Sequence, residues 1–218
     1  MFRITTLLAL LMLVFSGCDT SGSDAAKETD KVMEDAEEKI EEAKETVQTA
    51  VDMATTVGNG VLKVIDGTIK SPRKELTGEV GGVQVVINYG SPAVNDRVIY
   101  GDLVPYEKVW RTGANEATKI TFEQDVIVGA DAKKLKAGTY SLFTLPASKD
   151  DWTIIFNTEA EQWGAYDYDE SKDAVRAAAA SKPANAKAER MDFGLSDNSI
   201  MLMWDDLMVE FPVSASSK

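Results

Sequence analysis

Leu76-Thr77-Gly78-Glu79-Val80-Gly81-Gly82-Val83-Gln84-Val85-Val86-Ile87-Asn88-Tyr89 is the stretch that decides the fold class. After the two glycines, Val83, Val85, Ile87 and Tyr89 share one face of an extended segment while Gln84, Val86 and Asn88 share the other, because successive strand side chains point to opposite sides. Gly81-Gly82 supplies the positive φ angles of a two-residue hairpin turn, so the stretch reads as two antiparallel strands. The short-period pattern returns at 118–122, 125–128, 138–145, 152–157, 175–180, 190–193, 200–204 and 208–213, with 159–163 as a small helical interruption. Many short strands without alternating helices predict a mainly β domain, an antiparallel β-sandwich or partly closed barrel.

Upstream the period changes. Residues 24–57 hold eleven acidic residues and four lysines, without Pro or Gly, a composition of high helix propensity. Met33, Ala36, Ile40, Ala43, Val47, Ala50, Ala54 and Val57 form a heptad-like stripe. Gly58-Asn59-Gly60 ends it, and 61–69 suits a final helical turn, a strand or a docking segment. The sequence therefore predicts an acidic α-helical spacer and connector over 24–70. Like charges four apart, as in Glu34/Glu38 and Glu41/Glu45, cost a few tenths of a kcal/mol each, so a solvated stalk is favoured. Weak self-association through 24–57 and packing onto the domain are the alternatives.

At the beginning, Arg3 precedes the apolar run 7–15, then Ser16-Gly17 and Cys18. The run is too short for a membrane-spanning helix and has the order of an export signal. Val14-Phe15-Ser16-Gly17-Cys18 resembles a bacterial lipobox. That resemblance implies a lipoprotein signal peptide over 1–17, acylation of Cys18 and a polar leader over 18–23; a plain secretory peptide is the alternative. The expected setting is the bacterial cell envelope, with the membrane as partner through lipidated Cys18, in the outer membrane facing the periplasm or the cell surface.

The 218 residues are 44% hydrophobic and 27% charged, which suits one core-forming domain. With one Cys and no His, the chain has no Ser-His-Asp triad, Cys/His pair or intramolecular disulfide. A formal charge of −13 disfavours nucleic acid as a partner.

Ser71-Pro72-Arg73, Leu103-Val104-Pro105-Tyr106, Val109-Trp110-Arg111-Thr112-Gly113-Ala114-Asn115-Glu116-Ala117-Thr118, Ala137-Gly138-Thr139-Tyr140-Ser141-Leu142-Phe143, Trp152-Thr153-Ile154-Ile155-Phe156-Asn157 and Gln162-Trp163-Gly164-Ala165-Tyr166 occur in this order. Together they resemble the DUF2911 family of exported bacterial proteins over 71–213, leaving 214–218 as a tail. The resemblance implies a mostly β domain in an exported, often lipid-anchored setting, and it brings no substrate, cofactor or catalytic residue.

The densest polar and aromatic block is Tyr106 to Glu116. Trp110 offers a ring face, Arg111 a planar donor fork, Asn115 a donor and an acceptor, and Glu116 a carboxylate. Such a set can stack on a sugar and hydrogen-bond it, or clamp a peptide carboxylate. Asn157, Trp163 and Tyr166 are the expected contributors from elsewhere. A purely structural reading has Trp110 in the core, Arg111 paired with Glu116 or a carbonyl, Gly113 at a special backbone angle and Asn115 capping a turn. Asp167 to Asp173 begins like a calcium loop, but Lys172 stands where glycine is needed and Ala178 where a glutamate should close the sphere. No catalytic residue, metal or cofactor is assigned. Three functions follow: an envelope module binding a small glycan or peptide-like ligand, a non-catalytic structural or protein-interaction module, and a histidine-independent hydrolase using carboxylates.

Overall fold

Eleven strands, each antiparallel to its neighbours, build the described residues, 54–216, of this computed structural model. They are β1 (Ala54–Val57), β2 (Gly60–Asp66), β3 (Arg73–Val80), β4 (Val83–Gly90), β5 (Thr118–Phe122), β6 (Val126–Val128), β7 (Lys133–Leu135), β8 (Gly138–Pro146), β9 (Asp151–Asn157), β10 (Asp173–Leu195) and β11 (Ser199–Ala215). Their order across the sheet is β1-β2-β3-β4-β5-β8-β9-β10-β11-β6-β7. The mainly β, antiparallel expectation therefore holds. The sheet is not closed into a barrel, since β1 and β7 remain as its two ends.

The β3–β4 hairpin forms as its sequence dictates. Val80 pairs with Val83 across a turn in which Gly81 and Gly82 have φ of +57° and +76°. Val83, Val85, Ile87 and Tyr89 are all fully buried. Gly81 meets a second demand, because a Cβ there would lie 2.1 Å from the Val213 carbonyl oxygen. Its N–H donates to Asp197 O at 2.7 Å, and its carbonyl accepts from Ala215 N at 3.1 Å. The hairpin tip thus sits against the end of β11, and the sheet folds back over a shared core. Deeper in, Lys74 is buried and pairs with Asp192 of β10, and the Tyr89 hydroxyl donates to the same carboxylate oxygen at 2.9 Å. Burial, and then the Asp192 charge, push the Tyr89 phenol far above its ordinary value.

Several expectations are corrected. Residues 54–57, assigned to the helical spacer, are a strand, and of the alternatives left open for 61–69 the strand holds over 60–66: Ala54 pairs with Lys63, and β2 pairs with β3 from Gly60↔Gly78 to Asp66↔Arg73. Thr55, Thr56 and Val57 are β-branched, and a heptad count takes no account of that preference. The sheet accordingly begins upstream of residue 71. The remainder of the spacer, 24–53, the signal, the leader and Cys18 lie outside the described residues.

The segments 175–180 and 190–193 are parts of one strand, β10, and 200–204 and 208–213 are parts of another, β11. The intervening Pro183 and Asp205 are accommodated by register shifts, with Asp205 at φ +53°, as bulges permit. No helix forms at 159–163; the one helical turn among the described residues is Glu170–Lys172.

Candidate functional site

The connection from β4 to β5, residues 91–117, carries the polar and aromatic block, and both of its ends are fixed to the sheet. Ser91 N donates to Pro72 O at 2.9 Å and Ser91 Oγ to Met191 O at 2.8 Å, while Val94 N donates to Glu189 O at 2.7 Å. Further on, Trp110 and Thr144 of β8 exchange backbone hydrogen bonds of 2.8 and 2.9 Å. A long loop anchored in this way can hold side chains that take no part in the core.

Trp110 is 8% exposed, and its ring stacks on Trp204 of β11 with centroids 5.8 Å apart and planes 16° apart. It therefore packs, as the structural reading expected. Two residues beyond, the backbone turns sharply. Thr112 and Asn115 adopt φ of +54° and +64°, values unusual for side chains other than glycine. Gly113 has no positive φ; it is small because a Cβ there would come within 3.0 Å of Gly90 O and of Thr118 Oγ1. The expected special angle thus falls on Thr112 and Asn115, and Thr112 is held in it by buried bonds from Thr118 Oγ1 to Thr112 O at 2.7 Å and between the Thr112 and Thr144 hydroxyls at 3.2 Å.

Arg111 does not pair with Glu116. Glu116 instead pairs with Arg73 at 3.2 Å. Among the described residues the Arg111 side chain makes no hydrogen bond or ion pair, and its Nε is buried without a partner. Asn115 is half-buried and accepts from Gly164 N at 3.1 Å through its carbonyl. The segment 162–164 runs antiparallel to 115–117, with Glu116 opposite Trp163. Trp163 and Tyr166 are 58% and 83% exposed, and the Tyr166 ring covers Gly164, with Arg111 Cδ approaching the same glycine.

Two predicted site residues stand apart. Asn157 is fully buried, and its amide donates to Asp169 O at 3.0 Å and Asp173 Oδ1 at 2.8 Å. Its oxygen accepts from Glu159 N at 3.0 Å, so it is a framework residue. Tyr106 packs against Gly101 and lines neither cleft described below. In the acidic turn, Asp169 accepts from Ser171 N and Oγ at 2.9 and 2.7 Å, which hold its carboxyl below the ordinary range. Asp173 accepts from Tyr168 and Arg176 at 2.6 and 2.8 Å. Burial, followed by the bond to Asp173, pushes the Tyr168 phenol up to about 12.

Two clefts flank the 111–117 segment. One, of about 330 Å³, lies beside Trp163 and is charge-balanced: Arg73 pairs with Glu116, and Lys119 with Glu161 at 2.8 Å. The other, of about 270 Å³, is bounded by Trp110, Trp204, Arg111, Asn115, Asn95, Arg97 and Lys70. No carboxylate lines it. The acids next to Trp204 are already neutralised, Asp205 by Lys187 and Asp206 by Lys149, each at 2.9 Å. Trp204 is 1% exposed, and its Nε1 is buried without a partner.

The sequence reading expected one pocket; the structure places Trp110, Arg111 and Asn115 at one cleft and Glu116 and Trp163 at the other. The sequence reading missed Trp204, Arg97 and Lys70. Trp204 shares a strand face with Ile200 and Leu202, which marks it as inward, but nothing local reveals that its ring stacks on Trp110.

A family described as "Protein of unknown function (DUF2911)" matches residues 71–213. No curated protein and no solved structure matches the chain.

Proposed function

The chain belongs to the DUF2911 family, and from that premise we propose that it is a lipid-anchored cell-envelope protein whose β domain, an open sandwich, binds a small glycan or peptide-like ligand. The ligand site is the cleft bounded by Trp110, Arg111 and Asn115. One observation carries this reading: Arg111 is held on a strained, well-anchored loop and yet has no partner among the described residues. A long cation kept only for folding would be expected to pair with a carbonyl or carboxylate, as Arg97 does with Val94 O at 3.0 Å. Trp163 and Tyr166 extend the aromatic surface beyond the cleft, and residues 24–53 form an acidic helical spacer between anchor and sheet.

Calorimetry with soluble muropeptides, which present sugar and peptide together, tests the binding. Arg111→Ala or Asn115→Ala should retain the β spectrum and bind at least about tenfold more weakly, or about 1.4 kcal/mol. Unchanged affinity would refute the site. The anchor is tested by intact mass: the envelope protein should carry acyl mass at Cys18, and Cys18→Ser should lose it. A mature terminus without lipid mass refutes the anchor.

A further inference from the structure

The two clefts differ in one respect that bears on the ligand. Beside Trp163 every charge is matched by its opposite, whereas the only charged residues lining the Trp110–Trp204 cleft are cations, Lys70, Arg97 and Arg111. This occurs in a chain of formal charge −13, where an unneutralised cationic pocket runs against the composition. Lys70 and Arg111 have no ion pair among the described residues, and Arg97 spends donors on the Val94 and Ala93 carbonyls, which leave its charge intact.

Two of the lining residues also carry a buried nitrogen without a partner among the described residues, Arg111 Nε and Trp204 Nε1. A buried donor without an acceptor is costly, and the Arg111 side chain, which lines the cleft and has no partner among the described residues, is the donor a ligand there would meet. The chemistry that meets all of these demands is an oxygen anion. A guanidinium whose Nε and Nη are both uncommitted presents two coplanar donors to two oxygens, which matches a carboxylate. The stacked indoles of Trp110 and Trp204 supply an apolar wall beside it.

Resting on the binding reading above, we infer that the ligand is an acid, its carboxylate held by Arg111 within the cationic surround of Lys70 and Arg97, with its ring or apolar body against the Trp110–Trp204 pair. Solvent reaches the outer end of the Arg111 guanidinium first. A cleft of about 270 Å³ has room for a monosaccharide acid or the terminus of a peptide.

The test uses the full chain in detergent micelles, with its four tryptophan indole N–H signals followed by ¹⁵N NMR and the Trp204 signal identified with Trp204→Phe. Sodium glucuronate and N-acetyl-alanyl-alanine are the acid probes; glucose and the dipeptide amide are their neutral counterparts. At least one acid should move the Trp204 indole saturably while its neutral counterpart does not, and the acid that does so identifies a sugar or a peptide source. Arg111→Ala should weaken that acid at least tenfold. Lys70→Ala, a change at an exposed position, should weaken it several-fold with the fold intact.

Equal shifts from an acid and its neutral counterpart would overturn the carboxylate and leave the binding reading standing. Inorganic phosphate displacing the acid at lower concentration would overturn the carboxylate in favour of a phosphoryl group. Acid-induced shifts confined to Trp163 would overturn the assignment to this cleft. Silence of all four indoles with every probe would overturn both the inference and the reading beneath it.

Discussion

Residues 110 and 111 are adjacent, yet their removal should have opposite effects on stability. Trp110 is 8% exposed and stacked on Trp204, so Trp110→Ala leaves a cavity in the core, and such truncations cost about 3–5 kcal/mol. Arg111 contributes no hydrogen bond to the fold among the described residues and leaves a buried Nε unsatisfied, a debit of about 1–3 kcal/mol. Arg111→Met keeps an apolar stem of similar length over Gly164 and removes the polar group, so it should be neutral or stabilising by about 1 kcal/mol. In a domain of this size 1 kcal/mol moves the thermal midpoint by about 2–4 °C. Calorimetric melts should therefore place Arg111→Met level with the parent or a few degrees above it, and Trp110→Ala on the order of 10 °C below it. If Arg111→Met loses several degrees, Arg111 is part of the framework and the claim that it is held for a ligand fails. The same variant must also lose ligand affinity, since a site residue that stabilises when removed trades stability for function.

Gly81→Ala should cost several kcal/mol in urea unfolding, because its Cβ would strike the Val213 carbonyl at 2.1 Å, whereas Gly82→Ala, with nothing within 4 Å, should cost only about 1 kcal/mol for its positive φ. Deleting 24–53 should leave the main thermal transition in place, while deleting 24–66 removes two strands of the sheet and should lower its midpoint clearly. Asp66, Asp125 and Asp169 are held below their ordinary 3.8 by bonds from Thr68, Lys136 and Ser171 respectively, and Glu210 below 4.5 by Lys182. A folded-state value below the unfolded one stabilises above the unfolded value and is lost as pH falls through the folded one. The melting temperature should accordingly begin to drop as pH passes below 4.5 and continue to drop below 3.8. A flat profile through that window would show that these carboxyls are not engaged.

How much of this was legible in the sequence depended on whether the determining contact was local. The β3–β4 hairpin was readable because its turn, its register and its buried face all lie within 76–89. The long strands were not, because Pro183 and Asp205-Asp206 look like terminators, and only the partner strand decides that a bulge absorbs them. The spacer was read too far for a similar reason: Ala54 and Val57 fit the helical stripe, and pairing with β2 overrode it. Around the cleft, Trp110, Arg111 and Asn115 come from the block that stands out by its polar and aromatic density in the chain. Their complements come from 70, 97 and 204, and the pairing of Glu116 with Arg73 rather than Arg111 follows from the register of the sheet, which composition does not encode.

β1 is held by one neighbour over four residues, and it is where the chain enters the sheet. A pull transmitted through the residues before Ala54 therefore loads an edge strand first. The tear it starts would run as far as the turn at Gly58-Asn59, which is fastened to the far end of β10: Asn59 N donates to Leu195 O at 3.0 Å, and its side-chain amide to Asp197 at 2.8 Å. Under such a pull the fastening would stop the loss of β1 at Gly58-Asn59, leaving β3, β4 and the cleft beside them in place.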